Sequence, residues 1–225
     1  MIKYVNSNVF NTDADAIVNT INCVGFMGKG LALEFSLRYP NLLKKYKEKC
    51  QNKEITTGKI YYYKEESITI VNFPTKKDYK FPANIKWIEE DLKDFANTYK
   101  NYNITKIAFP LLGCGFGGLN THDVLKLMEK YLSNLDIEVL ICLDKENPQG
   151  KELEMINSFN NNNIVELANN IRLTNKQQIS LIEKQHKINR FYQISQIEGI
   201  GFETYKKIHN YFYKNDIKFE QQKLF

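Results

Sequence analysis

The sequence predicts an α/β layered domain on a largely parallel sheet, followed by a small helical appendage. Three observations predict it. Apolar, strand-like runs alternate with segments of helical spacing through the first 145 residues or so. Two glycine-rich loops each follow such an apolar run. After Asp144 the strand-like runs stop and helix-forming, lysine- and asparagine-rich sequence takes over.

Ile2 to Asn6 reads as a first strand, with Ser7-Asn8 as a polar turn. Asp15 to Thr20 reads as a second. After Ala16-Ile17-Val18 come Asn19 and Asn22, then Gly25, Gly28 and Gly30, then Leu31, Leu33, Phe35 and Leu37 among good helix formers. That is strand, glycine loop, helix, with the helix over Leu31 to Arg38 and Pro40 interrupting it. Glycines let backbone come close to a ligand, and a helix N-terminus offers unpaired N–H groups and partial positive charge, so the loop suits a phosphate. The spacing matches neither G-x-x-x-x-G-K-[ST] nor a clean G-x-G-x-x-G. Two amides at a strand end can read ribose hydroxyls, because each donates and accepts. The plain alternative is a glycine turn capped by asparagines.

Leu42 to Cys50 is an amphipathic helix. Lys59 to Tyr63 and Ile68 to Phe73 are strands joined at Glu65-Glu66, and Pro74 is expected to end the second. Trp87 to Tyr99 is helical, with Trp87, Ile88, Leu92 and Phe95 near helical spacing. Ile104 to Phe109 is a buried strand, Thr121 can cap a helix reaching Leu132, and Ile137 to Leu143 is the last strand.

Between that buried strand and Thr121 lies the second loop, Leu112-Gly113-Cys114-Gly115-Phe116-Gly117-Gly118-Leu119. Its density of glycine leaves N–H groups able to form an anion nest. Ligands in such sheets bind beyond the carboxyl ends of the strands, the edge that both loops leave. Two loops at one edge can hold the two phosphates of a diphosphate. Asn72-Phe73-Pro74-Thr75-Lys76-Lys77 leaves a buried strand at the same edge. Lys76 is therefore a candidate for the reacting centre, since a lysine near apolar walls and other cations can lose its proton and act as nucleophile or acid/base. A solvated basic loop is the alternative reading of K-K-D-Y-K.

Composition narrows the function classes. Of 225 residues, 43% are hydrophobic, enough for a real core, and 25% are charged. No apolar run is long enough to cross a bilayer, and Met1-Ile2-Lys3 leads straight into a strand, so no membrane partner and no signal peptide are expected. Cys23, Cys50, Cys114 and Cys142 are scattered without a C-x-x-C, and none of His122, His186 and His209 has a ligand spacing. The expectation is a reduced, cytoplasmic protein with no metal and no cofactor. The net charge of +5 is too mild to establish nucleic-acid binding.

Three stretches in order, N-T-I-N-C-V-G-F-M-G-K-G-L-A-L-E-F, V-N-F-P-T-K-K and P-L-L-G-C-G-F-G-G-L, resemble a macrodomain. The M-G-K-G loop with N-F-P-T-K resembles, more narrowly, the DarG-type DNA ADP-ribosyl glycohydrolases, antitoxins of DarT-type toxins; ordinary macrodomains carry N-x-x-L-x-G-G-G-G-V there. The resemblance covers about residues 1 to 145. It implies a three-layer α/β/α macrodomain with a mixed, mostly parallel sheet. It implies an ADP-ribosyl hydrolase that frees ADP-ribose from a nucleic-acid base, with ADP-ribose or ADP-ribosylated DNA as ligand and a DarT-like toxin as partner. Hydrolysis of ADP-ribosyl protein or ADP-ribose 1″-phosphate, and binding without turnover, are the rivals. The family's catalytic lysine falls on Lys76 and its distal-ribose asparagine on Asn22, the catalytic pair. The remaining ligand-binding set is Asn8, Val9, Asn19, Gly25, Met27, Gly28, Lys29, Gly30, Thr75, Leu112, Gly113, Cys114, Gly115, Phe116 and Gly117. Where many macrodomains read adenine with the aspartate of G-D-I, this chain has S-N-V, so Asn8 offers an amide in place of a carboxylate.

The expected layout is a macrodomain over 1–155, a linker over 156–171 that contains Asn160 to Asn163, and a helical appendage over 172–225. DarG chains carry a larger second domain. Here Ile197-Glu198-Gly199-Ile200-Gly201 and Thr204-Tyr205-Lys206-Lys207, after a helix expected from Lys176 to Gln193, look like a helix-hairpin-helix. Such hairpins hold a DNA phosphate on backbone N–H groups; a plain helical cap is the alternative.

Overall fold

Six strands form one sheet: β1 Ile2–Val5, β2 Ala16–Asn22, β3 Tyr61–Glu65, β4 Ile68–Lys76, β5 Lys106–Pro110 and β6 Glu138–Cys142. The computed structural model of the chain describes residues 1–145 and 147–222, with side chains through residue 214. The strand order is β1-β6-β5-β2-β4-β3. All neighbours run parallel except the β3–β4 hairpin, which turns at Glu66 in the left-handed region. Four helices cover the sheet: α1 Gly30–Arg38, α2 Pro40–Gln51, α3 Ile85–Thr98 and α4 Thr121–Leu132.

Alternation along the strands makes the layers. Val18, Val71, Phe73, Ile107, Phe109, Val139 and Ile141 pack with Ile88, Leu92 and Phe95 of α3 and Val124, Met128 and Leu132 of α4. Their neighbours in sequence, Ile17, Ile70, Ala108 and Leu140, pack the other way with Val9, Phe35 of α1 and Leu42 of α2. A fully buried side chain of this size contributes roughly 1.5–3 kcal/mol. The result is the expected three-layer α/β/α arrangement.

Two of the strand ends that differ from expectation matter for the site. β2 continues to Asn22 and β4 runs through Pro74 to Lys76. Pro74 is tolerated because β3 pairs with β4 only as far as Asn72, and the β2–β4 register slips between Thr20 and Asn22. No ladder bond therefore requires the missing N–H. The cap of α4 is Asn120, whose side chain accepts from the amides of His122 and Asp123; Thr121 is the first helical residue.

The chain divides into two compact units at Glu146/Asn147, earlier than the 1–155 expected. The second unit is helical: α5 Gly150–Asn161, α6 Ile164–Ile171, α7 Asn175–Lys184, a 3-10 turn Phe191–Gln196 and α8 Phe202–Gln222. Residues 156–171 are thus mostly two helices and not a linker. The asparagine run ends one helix and begins the next. Asn163 caps α6, and Gln185 Nε2 donates to the carbonyls of Phe159, Asn160 and Asn162. The helix expected from Lys176 to Gln193 stops at Lys184, and the 3-10 turn follows as a separate piece. Arg190 forks onto buried Glu152 at 2.9 and 3.0 Å, which also accepts the Phe191 amide. Gly199 has φ +81, and Gln177 Nε2 donates to its carbonyl and to Thr204 Oγ1. Of the predicted appendage, residues 223–225 and the side chains of Asp216 and Lys218 lie outside the described residues. Among the described residues, no helix is long and apolar enough to cross a membrane.

Candidate active site at the carboxyl edge of the sheet

β5, β2 and β4 are neighbours, so Pro110, Asn22 and Lys76 end side by side at one edge. Asn22 and Lys76 are register partners, and the amide of Cys23 donates to the carbonyls of Lys76 and Lys77 at 3.1 and 3.2 Å. The first loop runs from Cys23 to Lys29. Asn22 holds it from below: its Oδ1 accepts from the amides of Val24 and Phe26, and its Nδ2 donates to the Phe26 carbonyl. Tyr46 of α2, fully buried, donates from its hydroxyl to the Asn22 carbonyl at 2.7 Å and lies 3.0 Å from Oδ1. Burial pushes the Tyr46 hydroxyl well above its usual range, so it stays protonated as a donor. Gly25 has φ +82, which a side chain would strain. The loop ends at Lys29, which caps α1 without a side-chain bond, leaving first-turn N–H groups directed to the edge.

The second loop holds its shape by itself. Leu119 N donates to Gly113 O and Gly118 N to Gly115 O, and a Cβ at Gly117 would overlap Gly113 O. Among the described residues, the amides of Gly115, Phe116 and Gly117 take no partner within the chain. A Cβ at Gly115 would meet nothing within 4 Å. This is an open nest for an anion.

Lys76 links the loops. Its Nζ donates to the Phe116 carbonyl at 2.7 Å. Burial holds its ammonium below the usual lysine range. The Phe116 ring, largely exposed, leans over Gly30 and lies 6.0 Å from Lys29 Nζ. Ala83 N, beyond the exit of β4, donates to Gly117 O. Three loops therefore touch pairwise around one mouth.

Of the residues predicted from sequence, this edge gathers Asn22, Gly25, Gly28, Lys29, Gly30, Lys76 and Gly113 to Gly117, Cys114 and Phe116 included. Others play different parts. Asn19 is fully buried inside β2; its Nδ2 donates to Asn72 Oδ1, and Asn72 donates onward to the Tyr61 carbonyl, so it braces three strands and does not reach a ligand. The side chains of Val9, Met27, Thr75 and Leu112 are buried, leaving only their backbone for contact. Asn8 caps the 3-10 turn Val9–Asn11, its Oδ1 accepting from the Phe10 amide. Asn22 itself is a loop fastener: its Oδ1 already has its partners, which leaves one Nδ2 hydrogen for a ribose. Sequence reading missed Tyr46. The signal was present, since Leu42 and Tyr46 share an apolar helix face and a buried tyrosine hydroxyl needs a partner.

The Macro domain family model matches residues 18–128. The solved macrodomain of Mycobacterium tuberculosis DarG is 37% identical, with a TM-score of 0.61, over 63% of this chain and 97% of that one. The chain belongs to the macrodomain family. A curated relative, the DNA ADP-ribosyl glycohydrolase of Mycobacterium tuberculosis, is 37% identical over 146 residues, 63% of this chain and 42% of that protein. The structure of Thermosipho africanus DarTG in complex with ADP-ribose matches this macrodomain at 34% identity and a TM-score of 0.60, over 65% of this chain and 43% of that one. The chain spans about two-fifths of the length of the curated relatives it matches. The residues matched by the family model lie within the first unit, which carries the strand edge, both glycine loops and Lys76.

Proposed function

We propose that this macrodomain hydrolyses the bond between ADP-ribose and a nucleic-acid base. The observation that carries the reading is Lys76, a burial-depressed lysine at the strand edge between two glycine loops. The DNA ADP-ribosyl glycohydrolases it resembles support the substrate class, and the ADP-ribose complex of a relative supports the ligand. In this reading the diphosphate lies on the free amides of Gly115 to Gly117 and the uncapped start of α1. That orientation brings C1″ of the distal ribose to Lys76.

The neutral Nζ of Lys76 then attacks C1″. The C1″–N bond breaks, the base leaves with the bonding pair and takes up a proton, and water later displaces the lysine to release ADP-ribose. An N–H of Nζ can go on donating to the Phe116 carbonyl while the lone pair attacks, so that bond orients the lysine. A DarT-like toxin and a cytoplasmic location complete the proposal. The test is to incubate the protein with ADP-ribosylated single-stranded DNA and with ADP-ribosylated protein and to follow free ADP-ribose. Release from DNA is expected. Release only from protein would move the substrate class, and binding of ADP-ribose without release from either would make the domain a reader.

A further inference from the structure

The segment after Lys76 carries a surface that the reaction itself does not use. Tyr79 packs on Phe26 of the first loop, with ring centroids 4.3 Å apart, and both rings are about half exposed. Phe81 is 64% exposed. Phe26 and Tyr79 thus form an exposed aromatic pair at the first loop, and Phe81 adds an exposed ring two residues further on. The platform is also held in place: Asn22 binds both the amide and the carbonyl of Phe26, so the backbone that presents the ring is fixed. Lysines are interleaved with the rings. Lys80 Nζ lies 5.8 Å from the Tyr79 centroid and Lys77 Nζ 5.3 Å from that of Trp87. Lys86 stands exposed in the first turn of α3. The one carboxylate in the stretch, Asp78, accepts from the amide of Lys80 and so forms part of the turn.

We propose that the nucleotides flanking the modified base of a single strand dock here, bases on Phe26–Tyr79 and Phe81 and phosphates at Lys77, Lys80 and Lys86. The proposal rests on the hydrolase reading. Tyr79 packs on Phe26, whose amide and carbonyl are held by Asn22, the register partner of Lys76, so the platform adjoins the point where C1″ would meet the lysine. Aromatic faces with interleaved cations are the chemistry that holds unpaired bases and their backbone without reading sequence. A duplex keeps its bases stacked inside and cannot offer them to these rings.

The test compares full-length protein with the Tyr79→Ala/Phe81→Ala double variant and with Tyr79→Phe. Two substrates are used, an ADP-ribosylated single-stranded oligonucleotide and an ADP-ribosyl mononucleoside. The double variant is expected to raise KM for the oligonucleotide about tenfold at unchanged kcat, the loss of one or two stacking contacts. The mononucleoside should react as with the parent protein, and Tyr79→Phe should behave as the parent on both. Binding of a fluorescent, unmodified single strand of mixed sequence is read by anisotropy in parallel. It should weaken about tenfold in the double variant. Lys77→Gln and Lys80→Gln should each lower its salt slope by about one. Equal loss on both substrates would overturn the proposal, because the rings would then support the site and not the strand. Unchanged oligonucleotide kinetics with unchanged anisotropy would overturn it too. If the parent protein releases ADP-ribose from neither substrate, the hydrolase reading fails, and the anisotropy series still decides whether the platform binds the strand.

Discussion

In the first glycine loop, Asn22 takes the amides of Val24 and Phe26 and returns a bond to Phe26, while Tyr46 holds the Asn22 carbonyl from a fully buried position. The second loop has its own turn bonds, the link from Ala83 and the bond from Lys76, and among the described residues its central amides have no partner within the chain. Both loops are glycine-rich, yet the glycines do different work. Gly25 is required by a backbone angle, whereas Gly115 stands where an added side chain would meet nothing of the protein. One loop is a shelf fastened to the sheet through Asn22; the other, the cover, is held by its own turn bonds, by Ala83 N and by Lys76 Nζ. Glycine content alone does not say which a loop is.

Exchanging the glycines tests the contrast most directly. Gly115→Val should abolish ADP-ribose binding in calorimetry while the melting temperature stays near that of the parent, because the valine occupies ligand space only. Gly25→Val should instead destabilise the fold by about 1–3 kcal/mol in denaturant titration, the strain of a left-handed β-branched residue. Equal stability losses would erase the distinction between shelf and cover.

Lys76→Ala should retain ADP-ribose binding and lower turnover about 10²–10⁴-fold, the usual range for a lost reacting group. In the parent, the rate should climb with pH as the ammonium loses its proton, through a value below the ordinary lysine range. A rate that falls over the same interval would make Lys76 a proton donor in place of a nucleophile.

Behind the shelf, Asp91 of α3 is fully buried. One carboxylate oxygen accepts from the Gly58 amide, and among the described residues the other has no partner. Burial raises its pKa to about 8. The folded state therefore keeps a proton that the unfolded chain releases near 3.8. Its contribution to stability is fully present below that value and is lost as pH rises towards 8. Melting temperature should fall across this window, and Asp91→Asn should flatten the fall. An unchanged profile would place the titration elsewhere.

Tyr46→Phe removes one hydroxyl from under the first loop. A cost of about 1–2 kcal/mol in stability is expected, with a comparable small loss in kcat/KM, because the Asn22 carbonyl is left buried without its donor. The smallest effect concerns the second unit. Lys206→Gln and Lys207→Gln, beside the Gly199-Ile200-Gly201 hairpin, should each reduce the salt slope of DNA binding by about one if that hairpin touches phosphate. An unchanged slope would leave the hairpin as a helical cap clamped by Gln177.

The layer architecture, the two glycine loops and the place of Lys76 just after a buried apolar run were legible along the chain. Period-two and helical apolar patterns, glycine clusters and a three-motif order are local properties that survive without coordinates. Which asparagine faces what was settled by the packing of the folded chain. Asn19 and Asn22 look alike along the chain, but Asn19 meets Asn72 across the sheet while Asn22 meets its own loop and Tyr46. That packing likewise decided that β4 passes through Pro74, because the hairpin partner had already ended at Asn72. It decided too that Tyr79 joins Phe26, and that the asparagine run closes helices in place of linking domains. In each case the outcome depends on a partner distant in sequence. A polar side chain's role is set by whichever donor or acceptor burial brings to it, and residue spacing carries no record of that meeting.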